Sequence, residues 1–311
     1  MSYSLEAMFS PTPVVPLSAA LFDDKGVRVS VKRLDLLDAE ISGNKWYKLK
    51  HNLAAAQRQG AQCIVSFGGA YSNHIHALAS AGRRLGVQTV GIIRGEAPPT
   101  LNPTLADAEA WGMQLQFISR SDYRRKAEPD FLADLQQRYS HSYVVPEGGA
   151  NALGIQGCGD IMREIEGQVD DCDVVMVPVG TGGTMTGMSA AVTSKARVLG
   201  IAVVNAYAGL YADIERGLAQ AAEPPLAGWQ LLDGFHGGGY AKVDEPLARF
   251  LREFEQAHGI AIEPVYSGKM FKALFTLIEN DFFPRGSHIV AVHSGGMQGL
   301  RGMRKKLMRW D

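Results

Sequence analysis

Short apolar runs of strand length alternate with amphipathic stretches of helical length along most of this 311-residue chain, and that alternation admits few architectures. Residues 53–59 carry a helical pattern, and 62–67 have the continuous apolar character of a strand buried on both faces. The pairing recurs as helix 74–85 with strand 88–93, helix 103–111 with strand 113–118, and helix 129–137 with a short strand 143–145. It resumes beyond Glu147-Gly148-Gly149 as helix 153–165, strand 173–178, helix 184–194 and strand 198–204. Helices at 245–258 and 269–280, a strand at 287–293 and a last helix at 298–307 complete the pattern. Parallel strands need crossover helices, so the expectation is an α/β protein. Two open, twisted, parallel-rich sheets fit the length, with a ligand cleft at the carboxyl ends of their strands.

Glycine is what departs from average composition, at 35 residues of 311 where about 7% is usual. Its clusters follow the apolar runs. Gly180-Thr181-Gly182-Gly183-Thr184 comes directly after strand 173–178 and opens a helix. Free N–H groups at such a helix start favour an anion, and glycine lets the backbone approach it. No Gly-Lys-Ser/Thr follows, so this is not a P-loop. The third glycine of a dinucleotide fingerprint falls on Met185, so a phosphate monoester fits better than a pyrophosphate. A purely structural turn is the plain alternative. Gly68-Gly69-Ala70-Tyr71-Ser72-Asn73-His74 reads as a carboxylate site built on N–H groups and the Ser72 hydroxyl, or simply as a helix cap. His74 and His76 lack a third ligand, so no metal is expected.

Ser42-Gly43-Asn44-Lys45 places a lysine in what reads as a loop, with Lys48 close by. A lysine that is desolvated, or near a second cation, has a lowered pKa and can act as a nucleophile. Ser294 follows strand 287–293 and precedes Gly295-Gly296. Tyr240 ends the run His236-Gly237-Gly238-Gly239, and Tyr266-Ser267 precedes Gly268. A phosphate cradle, a lysine, a carboxylate site and a polar residue at a strand end together match the needs of pyridoxal phosphate.

These motifs, with Pro264-Val265-Tyr266-x-Gly268-Lys269, occur in an order that resembles the 1-aminocyclopropane-1-carboxylate deaminase / D-cysteine desulfhydrase family over nearly the whole chain. The resemblance implies a pyridoxal-phosphate enzyme of fold type II, the tryptophan synthase β-like fold. It implies a large cofactor-binding domain from residues 1–48 and 152–311, with a small α/β domain at 49–151. Lys45 would form the internal aldimine, and Lys48 with Gly180, Thr181, Gly182, Gly183 and Thr184 would hold the phosphate. Asn73 would contact the ring hydroxyl, Tyr266 would stack on the ring and Ser294 would lie at the cofactor. Ser72, Asn73 and His74 would receive the substrate carboxylate, and Tyr240 would approach the substrate. The catalytic set is then Lys45, Ser72, Tyr240 and Tyr266.

Two positions depart from the deaminases of that family, which carry glutamate in place of Ser267 and leucine in place of Ser294. A carboxylate keeps a pyridine nitrogen protonated and deepens its electron sink, whereas a hydroxyl does not. Expulsion of a good leaving group from Cβ is therefore expected over cyclopropane opening. The expected reaction is elimination from D-cysteine to pyruvate, ammonia and sulfide. Deamination of 1-aminocyclopropane-1-carboxylate to 2-oxobutanoate and a non-catalytic cofactor-binding protein are the alternatives.

The formal net charge of −1 argues against nucleic acid as a partner. No apolar stretch reaches the roughly 18 residues of a membrane span, and the N-terminal segment lacks the pattern of a signal peptide. Three scattered cysteines give no disulfide framework. A cytoplasmic enzyme for a small amino acid is expected, and the resemblance adds a homodimer. The basic C-terminal stretch 301–311 reads as a solvated helix end.

Overall fold

The computed structural model describes residues 9–220 and 227–310. The N-terminal residues read above for a signal peptide (1–8) and the last residue of the C-terminal stretch lie outside the described residues. In chain order, the first half runs β1 (Val14–Leu17), α1 (Ala20–Lys25), β2 (Arg28–Arg33), α2 (Asn44–Arg58), β3 (Cys63–Gly68), α3 (Asn73–Leu85), β4 (Gln88–Arg94), α4 (Pro103–Ala110), β5 (Gln114–Ile118), α5 (Arg120–Arg124), α6 (Pro129–Arg138) and β6 (Ser142–Val145). The second half runs α7 (Ala152–Glu166), β7 (Val174–Val179), α8 (Gly183–Ala190), β8 (Arg197–Ala202), α9 (Tyr207–Ala219), β9 (Trp229–Leu232), α10 (Glu245–His258), α11 (Ser267–Glu279), β10 (His288–His293) and α12 (Leu300–Leu307).

Two sheets result. The larger has the order β1-β2-β10-β7-β8-β9, parallel except for the edge pair β1–β2, and the smaller is β5-β4-β3-β6, parallel throughout. The two-residue period of a strand explains why the central strands are apolar throughout. Val175, Val177, Val179, Val290 and Val292 enter one apolar layer, beneath α2, α7, α8 and α9. Val174, Met176, Ile289 and Ala291 enter the opposite layer, with α10 and α11. Cys63, Val65, Phe67, Val90 and Ile92 fill the second face of the small sheet. The three cysteines are free and buried. Burial raises all three thiols, Cys172 to about 12.

The expected alternation is present, with differences that have physical causes. β2 was not expected, because Lys32 interrupts its apolar pattern. That lysine is fully buried, with its ammonium 2.7 Å from Glu164 of α7 and 2.5 Å from the Thr12 carbonyl. Glu164 also accepts a hydrogen bond from Tyr47 of α2 at 2.7 Å, so one carboxylate ties β2, α7 and α2 together. Neither α9 nor β9 was expected. α2 starts at Asn44, well ahead of the helix expected at 53–59, so the boundary expected between residues 48 and 49 falls inside a continuous helix.

α2 packs along α7 at very close range. A Cβ on Gly157 of α7 would overlap the Tyr47 carbonyl oxygen of α2. Gly157→Ala should therefore push the two helices apart and cost about 1–3 kcal/mol, a typical penalty for overpacking. Urea unfolding checks this, and an unchanged midpoint would show that the helices can separate freely.

Candidate active site

A cavity of about 900 Å³ opens where the carboxyl ends of strands from both sheets converge. The turns after β3, β6, β7 and β10 all contribute to its lining, as does the start of α2. The glycine clusters of the sequence therefore gather in one place.

Lys45 lies in the first turn of α2, not in a loop as the sequence suggested. The helix starts there because Gly43 takes a positive φ of 64° against the end of β10. A Cβ at Gly43 would overlap the Ser294 carbonyl, and the Asn44 N–H donates to that same carbonyl at 3.2 Å. Lys45 and Lys48 are three residues apart, so they share one face of the helix. Lys45 Nζ donates to Asn44 Oδ1 at 2.6 Å, Asn44 Nδ2 donates to Thr184 Oγ1 at 2.9 Å, and Lys48 Nζ donates to Thr181 Oγ1 at 3.3 Å. Among the described residues, neither lysine has a carboxylate within ion-pair distance. Burial, and then the charge of Lys48, lower Lys45 to about 7. Burial lowers Lys48 as well.

Gly180, Thr181 and Gly182 form the turn after β7, and Gly183 and Thr184 begin α8, whose first turn has no side-chain cap. Tyr266 packs against Gly180, where a Cβ would come 2.7 Å from its ring. Tyr240 is half exposed at the mouth, with its ring centroid 6.2 Å from that of Tyr266. Ser294 and Ser267 place their hydroxyl oxygens 3.2 Å apart, both buried.

Ser72 caps α3 by accepting from the Ile75 N–H at 3.3 Å, which leaves its own proton free to donate. Asn73 Oδ1 accepts from the Gln298 side chain. His74 is 1% exposed. The Ser66 hydroxyl donates to the Val145 carbonyl at 2.8 Å, so the 2.9 Å contact between Ser66 Oγ and His74 Nε2 assigns the imidazole proton to Nε2. His74 Nδ1 is then a buried lone pair without a partner. Burial and the two nearby lysines hold the ring neutral, at a pKa of about 3. In this tautomer Nδ1 has no proton to donate. His76 is engaged elsewhere, with the Glu40 carbonyl and Asp107, each at 3.1 Å.

Two residues of this region were given no role by the sequence. Glu263, 2% exposed, accepts from the backbone N–H groups of Val265 at 2.6 Å, Tyr266 at 2.9 Å and Ser267 at 2.5 Å, fixing the start of α11. Burial raises its pKa, while those donors and Lys45 oppose the rise. Lys269 donates to the carbonyls of His236 at 2.6 Å, Gly239 at 2.7 Å and Val203 at 3.3 Å, anchoring the loop that carries Tyr240. The signal for both lay in the stretch Glu263-Pro264-Val265-Tyr266-x-Gly268-Lys269, where a carboxylate and a lysine flank the tyrosine.

The donor set has no anion of its own. Two lysines, two threonine hydroxyls and the uncapped start of α8 fit a phosphate monoester, and an amine held near neutrality fits attachment to an aldehyde. Residues 5–295 match the family described as pyridoxal-phosphate dependent enzyme. The chain belongs to that family. A solved structure described as a 1-aminocyclopropane-1-carboxylate deaminase homologue superposes with a TM-score of 0.84 at 26% identity, over 100% of both chains. The mitochondrial bifunctional D-cysteine desulfhydrase/1-aminocyclopropane-1-carboxylate deaminase of Arabidopsis thaliana is 30% identical, over 88% of this chain and 74% of its own. The D-cysteine desulfhydrase of Klebsiella pneumoniae is 26% identical, over 95% of this chain and 94% of its own. The protein is thus a pyridoxal-phosphate-dependent enzyme of the deaminase / D-cysteine desulfhydrase group, with the fold type II architecture.

Two outcomes follow for this pyridoxal-phosphate enzyme. Without cofactor, Lys45 titrates near 7 when folded and near its ordinary 10.5 when unfolded. Between those values the unfolded chain holds a proton that the folded chain lacks, so stability rises with pH across that window. Urea midpoints of the apo-protein from pH 7 to 10 should show this rise, and Lys45→Met should lessen it, the remainder coming from Lys48 and Lys269, which burial also lowers. Glu263→Ala should lose about 3 kcal/mol by stranding buried N–H donors, while Glu263→Gln, which keeps an acceptor, should lose less; equal losses would refute the backbone-clamp role.

Proposed function

We propose that the enzyme eliminates a leaving group from Cβ of a small amino acid, with D-cysteine yielding pyruvate, ammonia and sulfide. The observation that carries this is the buried Ser267–Ser294 hydroxyl pair. Neither hydroxyl bonds a charged side chain among the described residues, and the carboxylate of Glu263 is turned onto backbone N–H groups. Bound pyridoxal phosphate supplies an electron sink for the pair left on Cα when a proton is removed. A sink without a facing carboxylate suits loss of a thiolate, which is itself a good leaving group, better than opening of a cyclopropane.

In this reading Lys45 would hold the cofactor covalently, and its Nζ would take the Cα proton, a role served by its lowered pKa. Lys48, Thr181, Thr184 and the Gly180–Gly183 turn would hold the phosphate. The free Ser72 proton and the Asn73 amide receive the substrate carboxylate, and neutral His74 walls that side without donating. Tyr266, packed against Gly180, would stack on the cofactor, and Tyr240 at the mouth would exclude water.

The proposal extends to organisation. A small unit carries the four-stranded sheet and a large unit the six-stranded sheet. Packing of α2 along α7 favours a boundary at Gly60 over one at residues 48 and 49. No helix of the described residues is long and apolar enough to cross a membrane, and a cytoplasmic homodimer is the form we propose, with sedimentation in solution as its check.

Assays of the cofactor-loaded enzyme test the reaction. Pyruvate and sulfide should appear from D-cysteine with a kcat/KM at least about tenfold above that for 2-oxobutanoate from 1-aminocyclopropane-1-carboxylate. Lys45→Ala should lower either rate by about 10³-fold or more. The reverse preference would establish the deaminase, and bound cofactor whose absorbance no amino acid perturbs would establish a non-catalytic protein.

A further inference from the structure

The cavity carries more fixed positive charge than a phosphate and a small zwitterion require. Beside Lys45 and Lys48, its wall on the small-sheet side holds Arg94 at the end of β4, Arg120 and Arg124 of α5, and Lys126. An adjoining recess of about 610 Å³ is lined by the same three arginines with Gly95, Glu96 and Ser121. The acidic groups facing this wall are few. Glu147 is 3.3 Å from Lys126 and so spoken for, and Glu96 lies in the recess. Among the described residues, Arg94, Arg120 and Arg124 have no carboxylate within ion-pair distance. Their neighbour Arg125 does, 2.8 Å from Glu128.

The wall is also positioned. The Arg94 guanidinium stands 5.7 Å from the centre of the Tyr123 ring and Lys126 Nζ stands 5.1 Å from it, so one buried aromatic ring steadies both cations. Arg94 Nη2 would lie 3.5 Å from a Cβ on Gly69, which brings it to the turn that carries Ser72 and Asn73. Arginine keeps its charge at every physiological pH and offers a fork that matches an oxyanion.

We propose that this wall is a subsite for an oxyanion on the substrate, so that the preferred amino acids end in a sulfonate, phosphate or carboxylate at or beyond Cβ. The inference rests on the reading of the site as an amino-acid eliminase and names its substrate class. Arg94, nearest the Ser72–Asn73 turn, receives the oxyanion, and Arg120 and Arg124 draw it in through the recess. For a β-sulfonate, Lys45 takes the Cα proton and the C–S bond breaks with its electron pair leaving on sulfur as sulfite. Water then completes the balance to pyruvate and ammonia.

The test uses the cofactor-loaded enzyme with cysteate and O-phosphoserine against cysteine and β-chloroalanine, each in both stereochemistries. Keto-acid release gives kcat/KM, and the shift in cofactor absorbance gives an equilibrium Kd. Anionic amino acids should exceed neutral ones by about tenfold or more in both measures, the effect of one charge-assisted pair. R120E and R124E, on exposed positions, should each lower the anionic-to-neutral ratio by about tenfold, and raised ionic strength should lower it too. If neutral amino acids react while anionic ones show no advantage, and neither variant moves the ratio, this inference falls and the eliminase reading stands. If inorganic sulfate modulates the neutral substrates while anionic ones gain nothing, the wall serves a free anion and the substrate proposal is overturned. If no amino acid of either kind reacts or shifts the absorbance, both readings fall together.

Discussion

Two lysines one turn apart, turned into a cavity that gives neither a carboxylate, set the terms for the rest of this molecule. Removing an ammonium from water is costly unless an opposite charge compensates, and a protein without that charge responds by lowering the pKa. Lys45 shows that response, near 7. Such a pair is an unsatisfied demand for an anion. The uncapped start of α8 and the threonine hydroxyls address the same volume. What places the lysines is a contact distant in sequence: the first turn of α2 lies on the Ser294 carbonyl, and only a glycine at position 43 allows it. The anion site therefore depends on the end of β10 as much as on the residues that form it.

A second framework surrounds the first. Glu263 and Lys269 bracket the beginning of α11 and spend their charges on backbone groups. One fixes Tyr266 and Ser267, the other the glycine loop that ends in Tyr240. A buried carboxylate near a cofactor ring is easily taken for the group that tunes the ring, but here its oxygens already accept from three N–H groups. Its work is positional.

How much of this was legible in the sequence varied with the range of the interaction responsible. Continuous apolar strands with glycine turns at their ends report local geometry, and β3, β4, β7 and β10 were readable for that reason. β2 was hidden by Lys32, whose burial makes sense only beside Glu164, a residue far away in the chain. The start of α2 was hidden because Trp46 and Tyr47 after a glycine look like a loop until β10 is placed beneath them. At the site, the gathering of Lys45, Lys48, the Gly180–Thr184 turn, Ser72 and Ser294 followed from motif order. The tautomer of His74 did not, since it is decided by where the Ser66 proton goes. Nor did the arginine wall, whose members come from β4 and α5 and carry no common motif.

The three buried cysteines have a bearing on how such an enzyme survives its own chemistry. Thiol–disulfide exchange needs a thiolate to attack. Cys63, Cys158 and Cys172 are enclosed and held as thiols, with Cys172 titrating only near 12. Under the proposed reaction the enzyme works among thiols, whose oxidised, disulfide forms exchange with any cysteine thiolate they can reach. This chain offers them none among its described residues, so mixed disulfides with those oxidised forms have nowhere to form on the native protein.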